Sequence, residues 1–184
     1  MKTSLIVILL VIVIVLGVKY VGARNGLVAE REGIDAAWAQ VDAALTQRAE
    51  LIPQLVETVQ DGAASQQAAI GAVKQARETL VNARGPESKI RANNHLDTAL
   101  ARLLLAVENY PQLEHSKKLA GLEDALKEAE DHIAVERRKY NEAVEHYNTQ
   151  IALFPNNIVA SISRFNRIDT YFQTPLGDTE PAPH

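Results

Sequence analysis

Apolar and polar residues follow three different rhythms along this chain, and each predicts a different element. From Thr3 to Val18 there is no charge, and Leu, Ile and Val dominate. A membrane-crossing helix needs about 20 mostly apolar residues. The uncharged run reaches that length if Lys19 extends its ammonium toward the headgroups, which carries the segment through Tyr20, Val21, Gly22 and Ala23. Tyr20 then falls in the interfacial aromatic belt. A cleaved secretory signal is the rival reading, because Val21-Gly22-Ala23 resembles a small-residue cleavage site. A lysine between the apolar run and that site, and a run rich in Ile and Val, favour an uncleaved anchor that leads through Gly26 into the next helix.

Beyond Gly26 the rhythm is helical. Ile34, Trp38, Val41 and Leu45 recur at spacings of 4, 3 and 4, predicting a helix from about Leu27 to Glu50. The stripe resumes in phase after Pro53 with Ile52, Leu55 and Val59, so a kinked helix is expected rather than a broken one. It thins through an alanine-rich stretch and returns at Ile70, Val73 and Leu80, before Gly85-Pro86 stops it. Ser88 is the expected cap of a second element running to Asn109, with Leu96, Leu100, Leu103 and Val107 as its stripe and Pro111 as its end.

The third rhythm is a strict heptad. Leu119, Leu126, Ile133, Tyr140, Tyr147 and Phe154 predict a helix over 116–154 that supercoils left-handed against its neighbours. A short amphipathic piece, Ile158 to Phe165, follows Pro155. The tail after Phe172 has too little apolar content to pack and is expected to be disordered. No stretch alternates for long enough to form a strand. The predicted fold is all-α, with an N-terminal transmembrane helix over residues 1–24, an antiparallel four-helix bundle of long helices over 25–172, and a tail over 173–184.

Composition narrows the functions. The first 24 residues carry three bases and no acid, which leaves 16 bases and 23 acids in the remainder, a charge of −7. An acidic body argues against nucleic acid as a partner. The chain has no cysteine, which removes disulfides, thiolate metal sites and cysteine nucleophiles. Lys2 opposes Lys19, Arg24 and Arg31 across the anchor, a slight excess that favours a cytoplasmic bundle.

No phosphate loop, nucleophile elbow or zinc-protease motif occurs. Di-iron bundles need Glu-x-x-His on two helices, and none of His95, His115, His132 or His146 has a glutamate three residues earlier. The pairs Glu128/His132 and Glu142/His146 fall outside the heptad stripe, which makes them solvated surface pairs rather than metal ligands. The sequence therefore predicts no cofactor and no metal.

Two arginines stand where apolar residues are expected. Arg48 lies three residues after Leu45, and Arg137 sits on the edge of the heptad stripe. A carboxylate such as Glu50, Glu108 or Glu130 is the expected partner of each, in a polar layer that fixes helix register. The repeated dipeptides Tyr140-Asn141 and Tyr147-Asn148 turn two tyrosines inward, where their hydroxyls need partners. Trp38 reads as a core anchor. The alternative is a small-ligand sensor or enzyme whose site is built from Arg48, Glu108, Tyr140, Asn141 and Tyr147.

Several motifs, in order, resemble the LemA family: Ala37-Trp38-x-x-Val41-Asp42-x-x-Leu45, Arg48-x-Glu50-Leu51-Ile52-Pro53-x-Leu55-Val56, Val73-x-x-Ala76-Arg77, Glu108-x-Tyr110-Pro111-x-Leu113, Arg137-x-x-Tyr140-Asn141-x-x-Val144-x-x-Tyr147-Asn148 and Phe154-Pro155-x-x-x-Val159-Ala160. The resemblance implies a single-pass protein of the bacterial inner membrane carrying a helical bundle, in a family that includes a magnetosome-membrane protein. It carries over no catalytic residue. Ser65-Gln66 stands where the family commonly has His-Glu, Glu114-His115-Ser116 where it has Lys-Ala-Asn, and Gln54 where it has Asn. The expected protein is a membrane-anchored scaffold or interaction module without chemistry of its own, held in the membrane by residues 3–23 and joined to a protein partner or to another copy. A membrane-shaping role for Ile158–Phe165 is a further possibility of the pattern.

Overall fold

The first helix does not stop where the apolar run stops. In the computed structural model of the chain, which describes residues 2–62, 66–110 and 116–172, helix α1 runs unbroken over Lys2–Gly62. Its large apolar side chains from Ile6 to Val18 are exposed, from 48% for Ile12 to 68% for Val18, so this stretch is not the core of a folded domain. It is long and apolar enough to cross a membrane.

Further along α1 the same helix becomes amphipathic, and Val41, Leu45, Ile52, Leu55 and Val59 are fully buried. Pro53 lies inside the helix, as its in-phase stripe predicts. Proline has no N–H, so the carbonyl of Ala49, four residues earlier, has no partner within the helix. Arg77 supplies one from another helix, its Nε donating to Ala49 O at 2.8 Å.

Arg77 belongs to α2, Gln67–Asn82, a separate helix and not a continuation of the first. The alanine-rich stretch read as part of one long helix is where α1 has already ended, at Gly62. Helix α2 buries Ile70, Val73 and Leu80. Gly85-Pro86 both stops the old helix and opens the next. Helix α3, Gly85–Val107, follows after Ala83 and Arg84 alone, with proline in its first turn. Gly85 has φ of 74°, a conformation that a Cβ would strain, which is why glycine suits this sharp corner. Ser88 is thus inside the first turn and does not cap it. Helices α2 and α3 pack together, and α3 buries Leu96, Leu100, Leu103 and Val107 as its spacing requires. Pro111 lies outside the described residues.

Helix α4, Lys117–Ala152, begins at Ser116, whose Oγ accepts the Leu119 N–H at 3.4 Å. Five heptad residues, from Leu119 to Tyr147, are buried. The sixth, Phe154, is 80% exposed, because the helix has ended at Ala152. Helix α5, Asn156–Ser163, closes with Arg164 in the left-handed region and Phe165 N–H donating to Ala160 O, the hydrogen-bond pattern of a Schellman cap. Among the described residues every regular element is a helix. The all-α bundle read from the sequence is the observed fold, and the predicted disordered tail lies outside the described residues.

Two compact units share the long helices. One is formed by Met1–Ala37 and Lys139–Asp169, the other by Trp38–Arg138 and the segment beginning at Thr170. In the first, Leu27 packs with Val159 and Ala160, flanked by Tyr20, Ala23, Ile151 and Phe165.

Candidate functional site

Within the second unit the helical spacing that puts Arg48 on the inner face of α1 leaves the residue only 7% exposed, so its charge needs compensation. Its Nη1 donates to Asp97 Oδ1 and to Asn93 Oδ1 at 3.2 Å, and forms an ion pair with Glu130 Oε2 at 2.8 Å. Asn93 is fully buried and donates its amide to the other Asp97 oxygen at 2.9 Å, fixing that carboxylate. Glu130 turns its second oxygen toward Arg137 Nη1 at 3.6 Å. The guanidinium of Arg137 lies 5.1 Å from the ring centre of Phe172, and Phe172 stacks on Trp38 at 6.1 Å. Two cations and two anions alternate along this chain of contacts, so it is neutral as a whole.

A second ion pair reinforces it. Lys89 Nζ on α3, itself buried, lies 2.8 Å from Asp42 Oδ1 on α1. Because Asp42 pairs with Lys89 and Arg48 with Asp97, the pairing advances in the same direction along both helices. Helices α1 and α3 therefore run parallel here, with α2 returning between them in sequence.

The residues picked from the sequence fall in different places. Of the three carboxylates offered to the arginines, Glu130 is the partner, serving both Arg48 and Arg137. Glu50 is exposed, and Glu108 is exposed at the end of α3, beside a cleft shared with Leu119 and Glu123. Trp38 is half-buried and covered by Phe172. Tyr140, Asn141 and Tyr147 belong to the first unit. Tyr140 and Tyr147 are buried and Asn141 is partly exposed. Both histidines of the suspected surface pairs are exposed, but their partners differ: His132 lies 3.7 Å from Glu136, and His146 lies 2.7 Å from Glu30 on α1. Among the described residues no group of ligating side chains converges to hold a metal.

Sequence reasoning missed the segment after α5. In the first unit, Tyr147 donates its hydroxyl to Asn166 O at 3.0 Å. Asn148 donates to Ile168 O at 2.7 Å and accepts from Ile168 N at 2.9 Å, using both ends of its amide as a strand neighbour would. The signal was present: an Asn at a buried heptad flank has no apolar explanation and asks for a backbone partner.

Burial pushes the Tyr147 phenol above its ordinary value of 10.0, and the charge of Arg31 pulls it part of the way back. The native state thus favours the neutral phenol. Its stabilisation is complete below pH 10 and is lost as pH rises through the native pKa. Replacing Tyr147 by Phe is expected to lower stability by about 1 kcal/mol at pH 8 through the lost hydrogen bond. It should also flatten the alkaline fall, so the gap to the parent narrows at higher pH. Urea titrations of both proteins at the two ends of that range measure it. A gap that is constant with pH would remove Tyr147 from the alkaline transition.

A cleft of about 480 Å³ between α1 and α2 carries mixed charges from Glu57, Lys74, Arg77 and Glu78, and none of the sequence candidates lines it.

An exposed apolar helix that continues into a bundle with self-neutralised interior charges defines a membrane-associated helical protein. The chain belongs to the LemA family, whose family model matches residues 37–184. It is similar to the magnetosome proteins MamQ 2 and MamQ 1 of Paramagnetospirillum magneticum, each 35% identical over 95 residues, covering 52% of this chain and 35% of theirs. It is also similar to the magnetosome protein MamQ of Magnetospirillum gryphiswaldense, at 32% identity over 88 residues, which is 48% of this chain and 32% of that one. The chain thus spans about a third of the length of these relatives.

Proposed function

We propose that this protein is a single-pass scaffold of the bacterial inner membrane, held by residues 3–23, which presents a helical bundle to a protein partner or to another copy and performs no chemistry itself. One observation carries the reading. Buried Arg48 and largely buried Arg137 engage the half-exposed carboxylates of Asp97 and Glu130, which is what a register-setting layer does and what a catalytic site, with groups held for substrate, does not. The similarity to magnetosome proteins supports a part in assembling a membrane structure. An uncleaved anchor is supported by the hydrogen bond between Tyr20 and Ser163, at 2.9 Å, which cleavage after Ala23 would remove. The slight excess of bases after the anchor supports a cytoplasmic bundle.

The two arginines give a second reading its support, since Arg137 Nε and Nη2 and Arg48 Nε are buried without hydrogen-bond partners. A small anion bound there would make the bundle a sensor.

The two are separated by crosslinking the full-length protein in intact membranes and by thermal melts of the purified protein with small anions. A scaffold gives discrete crosslinked adducts and melts unmoved by anions. A rise in melting temperature with an anion, abolished in Arg137→Gln, together with an absence of adducts, overturns the scaffold in favour of the sensor.

A further inference from the structure

Helix α5 has three faces. Val159 and Ala160 are buried against Leu27 of α1, and Ser163 bonds to Tyr20. Asn157 and Ser161 are exposed and polar. On the third face Ile158 is 52% exposed and Ile162 65%, only about 40° apart around the axis at 100° per residue. Leu153 and Phe154, just before the helix, are also exposed, Phe154 at 80%. Two large apolar side chains on a short amphipathic helix, and two more just before it, therefore stand uncovered.

Its position decides what covers them. The contact with Tyr20 sets α5 beside the last turn of the apolar segment, at the depth where the anchor leaves the hydrocarbon. On α1, Val18 and Val21 on either side of Tyr20 are also exposed. Charge agrees with position. Residues 19–25 and 153–166 contain Lys19, Arg24 and Arg164 and no acid, in a body that is otherwise acidic. Basic residues around an apolar face suit the anionic headgroup zone.

We infer that α5 is an interfacial helix, whose Ile158 and Ile162, with Phe154 just before it, enter the lipid surface beside the anchor and give the protein a second membrane contact. This rests on the anchor crossing the membrane but not on the scaffold reading.

The chain's lack of cysteine makes the test clean. Full-length Phe154→Cys, Ile162→Cys and Ser161→Cys proteins, each spin-labelled and reconstituted in vesicles of phosphatidylcholine and phosphatidylglycerol, report accessibility to oxygen and to a water-soluble nickel chelate. A Val13→Cys label reports the anchor separately. Labels at 154 and 162 are expected to favour oxygen over nickel several-fold, as at 13, while the label at 161 favours nickel. Nickel access at 154 and 162 equal to that at 161, with 13 still protected, overturns the interfacial helix alone. Nickel access at 13 overturns the anchor and the inference together. Spin–spin broadening at 154 and 162 that disappears on dilution with unlabelled protein overturns it in favour of a second copy covering the patch.

Discussion

Replacing Arg48 by alanine is expected to destabilise the full-length protein by about 2–4 kcal/mol, lowering its melting temperature by about 5–15 °C. The size follows from what remains. Asp97 and Glu130 would face one another across the space that Arg48 Nη1 now fills, and buried Asn93 would lose an acceptor role to it. The loss stays below that of a fully buried pair because the two carboxylates are 37% and 39% exposed, so water can reach them. All three contacts converge on one nitrogen, so Arg48→Lys should recover part of the stability, with a single ammonium standing in for Nη1. Thermal melts in detergent micelles measure the series. An Arg48→Ala protein within 0.5 kcal/mol of the parent, the range typical of ordinary surface substitutions, would show that the ion network does not hold the helices in register.

Asn148→Asp is expected to release the segment that follows α5. The amide now donates to and accepts from Ile168, and a carboxylate can only accept, so the Ile168 carbonyl would meet a buried negative oxygen. The one lost hydrogen bond, at about 1 kcal/mol, and a similar cost for the Ile168 carbonyl facing a carboxylate oxygen would together raise the open population of the segment about thirtyfold. Arg164 and Arg167 are exposed there, and their cleavage by trypsin reports that opening. Asn141→Asp, one heptad earlier and partly exposed, should change the cleavage rate far less. Equal rates in the two variants would mean that Asn148 does not hold the segment.

What could be read in advance followed from periodicity. Val41, Leu45, Ile52, Leu55 and Val59 are buried because a helix of 3.6 residues per turn leaves them no other place, and their unbroken phase already carried the helix through Pro53. The end of α1 was less legible, since the stretch after Gly62 is rich in alanine, which favours helix whether or not the chain turns. Ser88 looked like a cap because serine caps helices in general, but Gly85-Pro86 starts this one earlier. The choice of Glu130 over Glu50 and Glu108 depends on how far one helix slides along another, and no local pattern encodes that. Phe172 was the last residue granted any order, and its ring proves to rest on Trp38 and beneath Arg137, contacts between residues 35 and more positions apart.

Pro53 and Arg77 belong to one device. A proline in mid-helix is ordinarily a defect, yet here the carbonyl it strands at Ala49 is the one that Arg77 finds. The defect thereby becomes an address: it marks a single turn of α1 that offers an unclaimed acceptor to a neighbouring helix. Neither residue can then drift alone through mutation without changing what the other is worth. An alanine at 53 would repair α1 and, by the same stroke, erase the mark by which α2 finds its place.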